Sequence, residues 1–114
     1  VDIQADAKTW DGGRKRYDIV VTTEALEHEE QWREILATAH RILKPGGYLF
    51  ATCAGTGREF HSVDGGPLKD GEWYCNVSAP EMSKALYEIG FVNIVCQKHG
   101  NDTQASAQKK LGVQ

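Results

Sequence analysis

No apolar run in these 114 residues approaches the roughly 20 needed to cross a bilayer as a helix, which excludes a helical membrane span. Strong charge of either sign is also missing. Lys plus Arg number 13, Asp plus Glu 16, and the net charge is −3. That is too mild for a membrane surface, and it gives no strong signal for a nucleic-acid groove. Cysteine is scarce, with Cys53, Cys75 and Cys96 an odd set without CxxC spacing. A disulfide frame and a zinc site of that kind are therefore excluded. The expectation is free thiols in a reducing, cytoplasmic setting. There is no internal repeat and no low-complexity linker, so residues 1–114 are expected to form a single domain.

What is present alternates between two kinds of segment. "VDIQADA" (1–7) reads as a short strand and "KTWDGGRKR" (8–16) as a loop. "YDIVVTT" (17–23) is β-branched in the manner of a strand buried on both faces of a parallel sheet. From about Glu29 to Leu43 the residues Trp32, Leu36, Ala39 and Leu43 fall on one helical stripe. "KPGG" (44–47) stops that helix, because Pro45 cannot continue the hydrogen-bond ladder. "YLFATCA" (48–54) reads as a second buried strand, and "GTGREFHSVDGGPLKDGEWYCNV" (55–77) as a long loop. A loop of that length in a small domain is usually functional or disordered. In "SAPEMSKALYEIG" (78–90) Ser78 and Glu81 form a capping box and Gly90 ends the helix. Met82, Leu86 and Ile89 make its buried face. "FVNIVCQ" (91–97) is a third strand and "TQASAQK" (103–109) a final edge strand. Alternating strands and helices predict an α/β fold around a parallel sheet.

In such sheets ligands bind beyond the carboxyl ends of the strands. "TTEALEHEEQ" (22–31) lies at such an end and carries Glu24, Glu27, His28 and Glu29. Two readings stand for it: a solvated helix start, or the rim of a cofactor site.

One family carries these residues together. Tyr17-Asp18, then Glu24-Ala25-Leu26-Glu27-His28, then Leu43-Lys44-Pro45-Gly46-Gly47 before a strand resembles the middle of a class I S-adenosylmethionine-dependent methyltransferase of the small type-11 kind. The combination is fairly specific and each piece alone is not. "EIGFVNIV" and "NDTQASAQK" are similar to that family's sixth and seventh strands, so the resemblance covers nearly all of the chain. It implies a Rossmann-like sheet whose last strand is antiparallel, with the family's strands 3 to 7 present. It also implies S-adenosyl-L-methionine as cofactor. By the match, Asp6 would accept a hydrogen bond from the adenine amino group, and the Ala7 N–H would face a ring nitrogen. Thr23 would meet the methionine part of the cofactor. Glu24 would orient the turn or meet the cofactor's ammonium group.

His28 reads either as a general base or as a brace for its turn. Glu27 reads as solvated or structural. Glu24, Glu27 and His28 lack a third neutral ligand, so no metal is expected. The loop 55–77 is the candidate acceptor contact, with His61 as a second possible base beside Asp64, Trp73 and Tyr74.

The family's Gly-x-Gly-x-Gly loop is not found in the sequence; "GTG" (55–57) follows the wrong strand. With Val1 in place of an initiating Met, this raises the expectation of a truncated, C-terminal portion of a methyltransferase. The 17–23 strand would then be an exposed apolar edge, open to self-association. The expected activity is methyl transfer to an acceptor that the sequence leaves open. A small molecule or protein is favoured over nucleic acid. The alternative is a non-catalytic, partner-binding remnant of the same fold.

Overall fold

The computed structural model describes residues 6–112. It holds four strands, β1 (Tyr17–Thr23), β2 (Leu43–Ala54), β3 (Phe91–His99) and β4 (Asp102–Lys109). A one-turn 3₁₀ helix (Leu26–His28) and helix α1 (Trp32–Ile42) join β1 to β2, and helix α2 (Ala79–Ile89) precedes β3. The sheet order is β1-β2-β4-β3. β1 and β2 run parallel, while β4 is antiparallel to both β2 and β3. The expected α/β class and antiparallel last strand are therefore present. The strand expected at 1–7 lies mostly outside the described residues, and residues 7–9 form a turn.

β4 corrects one expectation. It was expected at the sheet edge and lies inside, between β2 and β3. Its alternation is weak because one face carries small residues, Thr103, Ala105 and Ala107, all buried. Small side chains there let the helices approach the sheet closely. Among the described residues the open edges are β1 and β3.

The helices cover only one face. Leu36, Ala39, Met82, Ala85 and Leu86 pack on Leu49, Ala51, Cys53, Ala105 and Ala107. Each fully buried Leu or Met here contributes about 1.5–3 kcal/mol relative to exposure. Among the described residues nothing covers the other face: Ile19 is 58% and Val21 62% exposed, and Tyr48, Phe50 and Val95 are exposed beside them. β1 is therefore not buried on both faces as its β-branched run predicts. Periodicity reports the side chains a strand carries, not the layers that cover it.

Local chemistry explains the element ends. α1 begins at Trp32 rather than Glu29, because the Glu29 carboxylate accepts the Gln31 N–H at 2.8 Å and Glu29 itself is extended. α2 has the expected capping box: Ser78 Oγ accepts from the Glu81 N–H, and Glu81 Oε1 accepts from the Ser78 N–H. Gly90 closes it at φ 115°. "KPGG" stops α1 as expected, yet it belongs to β2 rather than to a turn between elements. From Tyr17–Leu43 to Ile19–Tyr48 β1 advances two residues and β2 five, so three residues bulge out. Gly46, at φ 85°, makes that bulge possible.

The segment 55–77 contains no helix or strand, but it is tied down at both ends. The Gly55 N–H donates to the Asn101 carbonyl at 2.8 Å and the Val77 N–H to the Ala54 carbonyl at 2.9 Å. Thr103 Oγ1 donates to the Val77 carbonyl at 2.6 Å. A Cβ on Gly55 would lie 2.5 Å from that Thr103 Oγ1 and 3.0 Å from the Thr103 amide nitrogen. Gly55→Ala is therefore expected to destabilise the chain by about 1–3 kcal/mol. Urea unfolding followed by circular dichroism checks this; an unchanged midpoint would show that the Gly55–Thr103 contact yields freely.

Candidate functional site

β1 and β2 end side by side, with Thr23 paired to Thr52. The chain then turns at Glu24, a non-glycine residue at φ 52° whose N–H donates to the Thr52 carbonyl at 2.9 Å. A left-handed conformation at such a residue costs about 1–2 kcal/mol. Its place at the end of a parallel strand is where strain accompanies function. The 3₁₀ turn that follows presents Glu27 and His28 inward.

Glu27 is fully buried, so the expectation that it is solvated fails and the structural one holds. Its Oε2 accepts the Ala54 N–H at 2.8 Å, and its backbone carbonyl accepts the Cys75 N–H at 2.9 Å. One residue thus joins the end of β1, the end of β2 and the return of the long loop. Its other oxygen, Oε1, is buried with no hydrogen-bond partner. The Glu24 carboxyl is pushed above its ordinary pKa, first by the Glu27 carboxyl beside it, then by burial.

The loop brings His61 onto His28. The two imidazoles meet edge-on at 4.9 Å between centroids, and Tyr74 lies 5.5 Å from His28 and 4.9 Å from His61. Burial, followed by the neighbouring His61, lowers the His28 pKa, which favours the neutral ring. His28 Nδ1 is buried and unpartnered. His61 Nδ1 lies 3.1 Å from the Glu59 carbonyl, which only accepts, so Nδ1 carries the proton and the neutral ring keeps its lone pair on Nε2. Tyr74 is buried, its hydroxyl donates to Asn76 Oδ1 at 2.6 Å, and burial pushes its pKa up to about 12. Trp73, expected to share its role, is 42% exposed. Asp64 is taken up by Lys69 at 2.8 Å and by the Gly66 N–H, away from the histidines. His61 opens into a cleft of about 480 Å³ lined also by Arg58, Phe60 and Leu68.

Thr23, Glu24, His28 and His61 therefore come together at one end of the sheet. Asp6 and Ala7 do not join them. Asp6 Oδ1 accepts the Lys8 N–H at 2.9 Å and its carbonyl accepts the Thr9 and Trp10 N–H groups, an ordinary turn. That turn borders a second cleft of about 500 Å³ at the start of α1. The ion pair Lys8–Glu29, 2.9 Å, holds it beside the residue after His28. Sequence reasoning missed Arg58, which ion-pairs with Asp102 at 2.6 Å and lies 3.8 Å from Glu24. The pair spans 44 residues, and no local pattern signals it.

Glu27→Ala would strand the buried Ala54 N–H. We expect it to lower the unfolding free energy by about 1–3 kcal/mol. Glu27→Gln keeps an acceptor there and should lose less than half as much. Chemical unfolding of both variants checks this; equal losses would mean that the Ala54 bond is not what Glu27 supplies.

Comparison with known proteins places this geometry. A SAM-dependent methyltransferase of Methanosarcina mazei superposes with a TM-score of 0.69 at 15% identity, over 95% of this chain and 66% of that one. The 1,6-didemethyltoxoflavin-N1-methyltransferase of Burkholderia thailandensis, solved with its substrate and S-adenosylhomocysteine, gives 0.67 at 18%, over 95% and 50%. At such identities the likeness establishes the fold, a Rossmann-like methyltransferase sheet. A hybrid PKS-NRPS synthetase of Acremonium sp. is 28% identical over 117 residues, covering 90% of this chain and 3% of the synthetase. The chain thus spans two thirds or less of the length of each of these three proteins. Residues 1–96 match the methyltransferase-domain family, and the chain belongs to that family.

Proposed function

We propose that this chain forms part of a site that transfers a methyl group from S-adenosyl-L-methionine. The observation that carries the reading is the strained Glu24 turn at the end of β1, facing the loop that follows β2, in a chain of this family. When bound, the cofactor would supply an electrophilic methyl group on a sulfonium. The residues at the strand ends fit its methionine part: Glu24 offers a carboxyl to an ammonium group, beside Thr23. Asp6 and Ala7 would meet the adenine, and Asp6 would have to share its carboxylate with its own turn.

The chain's contribution to the reaction would be mainly positioning, since displacement at a methyl carbon depends on alignment and proximity. The cleft at His61 would take the acceptor, with Arg58, Phe60, His61 and Leu68 in its wall and His28 and Tyr74 packed against the His61 ring. The net charge of −3 favours a small molecule or a protein side chain over nucleic acid. Three free cysteines support a reducing, cytoplasmic setting. Burial pushes the Cys53 thiol up to about 12, so it is no nucleophile.

The test is saturation-transfer NMR of S-adenosylhomocysteine with the 114-residue chain. Contacts at the adenine and methionine protons are expected, with a dissociation constant of ~1 mM or weaker. The reason is that no Gly-x-Gly-x-Gly loop is present in the sequence to bring backbone against the ligand. Thr23→Arg, which fills the strand end, should abolish the signal. An identical spectrum from that variant would sink the proposed site.

A second reading, partner binding or self-association through the sheet, is favoured by the bare face of Ile19, Val21, Tyr48, Phe50 and Val95. Sedimentation velocity should show association that grows with concentration. The Ile19→Lys, Val21→Lys double variant should shift the population toward monomer. A wild-type chain that stays monomeric at millimolar concentration would remove this reading.

A further inference from the structure

We propose that Glu27, His28 and His61 bind one divalent transition-metal ion. One ligand atom from each residue lies within 4.8 Å of the other two. Two of the three carry a buried polar atom with no partner, Glu27 Oε1 and His28 Nδ1. An unsatisfied buried acceptor costs about 1–3 kcal/mol, and one bound cation would satisfy both. The third ligand, His61, reaches the cluster from the long loop, which is why the sequence shows only two of the three together.

The surroundings are those of a ligand set. Glu27 Oε2 is fixed by the Ala54 N–H at 2.8 Å, so Oε1 is held in place and free. His61 is oriented through Nδ1 by the Glu59 carbonyl, which leaves Nε2 to coordinate. Glu24 adds a second carboxyl beside Glu27 and so more negative charge to attract a cation. Two nitrogens and one carboxylate suit zinc, cobalt, manganese or iron rather than magnesium or calcium, which prefer oxygen. Ligands about 2.1 Å from one ion stand at most about 4.2 Å apart, so the side chains must draw in slightly as the ion enters. Three protein ligands leave a coordination position open, and one of the three, His61, lines the cleft of about 480 Å³. Under the methyl-transfer reading, on which this last step alone rests, an acceptor oxygen bound there would lose its proton more readily.

Cobalt(II) chloride titrated into the full chain is the probe, followed by visible absorption. Calorimetry with zinc and magnesium chlorides runs alongside. One equivalent of cobalt is expected, with ligand-field bands and no thiolate charge-transfer band. Zinc should bind more tightly than magnesium. Glu27→Gln and His61→Ala should each weaken binding roughly 10–100-fold. His61 lies on a loop outside the core, so its variant tests the site without threatening the fold. No uptake, uptake unchanged in both variants, or a thiolate band would each overturn the proposal. Because the ion is measured without S-adenosylhomocysteine, ion binding without cofactor binding would overturn only the methyl-transfer reading. Cofactor binding without an ion would overturn only this one.

Discussion

The hydrogen bond from the Ala54 amide to the Glu27 carboxylate is the constraint on which the site depends. It is 2.8 Å long and buried, and it ties the turn after β1 to the last residue of β2. From that point the chain can leave the sheet at Gly55, make its long excursion and return. The return is fixed on the same residue, through the Cys75 amide on the Glu27 carbonyl. The excursion carries His61 and Tyr74, and both land on His28, the neighbour of Glu27. Without the Glu27 carboxylate bond the two strand ends would still pair, but only the Cys75 bond and the packing of His61 and Tyr74 would hold the histidine turn against the loop. A buried hydrogen bond to a charged acceptor is among the stronger single interactions a small domain has, at about 1.5–3 kcal/mol.

Much of the frame was legible because it is written locally. Ser78 and Glu81 lie three residues apart and cap a helix; Trp32, Leu36, Ala39 and Leu43 share a stripe; Gly90 is needed at positive φ. Each of these depends on neighbours within a turn or two. The site was legible in half. Glu24-Ala25-Leu26-Glu27-His28 is contiguous and drew attention as a motif. Two things were not legible. The burial of Glu27 depends on Ala54 and Cys75, 27 and 48 residues away. The pairing of His28 with His61 depends on how the loop 55–77 folds back. Likewise the interior place of β4 follows from tertiary pairing, since nothing in "TQASAQK" says whether one neighbour or two will flank it.

The bare sheet face is a separate matter of layers. β2 alternates, Leu49, Ala51 and Cys53 buried and Tyr48 and Phe50 exposed, as a strand covered on one side does. Tyr48 and Phe50 stack at 6.1 Å and hide part of each other, which softens the exposure without removing it. The covered face has small residues where helices press and large ones at the margins. The bare face has large apolar residues on β1, on β2 and at Val95 of β3, and polar ones, Gln104, Ser106 and Gln108, on β4. Such a surface is under-covered by the residues described, and its chemistry is that of a layer interface, not of a solvated face.

The two faces of the molecule thus differ in what they leave unsatisfied. On the sheet it is apolar area, non-directional, which any apolar partner could cover. At the strand ends it is two named atoms, Glu27 Oε1 and His28 Nδ1, whose positions are set by bonds to Ala54 and by packing against His61 and Tyr74. Directional vacancies demand a specific occupant, and they coincide with the strained φ of Glu24. A fold selected for stability alone would relax the strain with a glycine at position 24 and would leave no buried atom of positions 27 and 28 unpaired. That the strain and the unpaired atoms stand together argues that this corner of the sheet is shaped by what it binds.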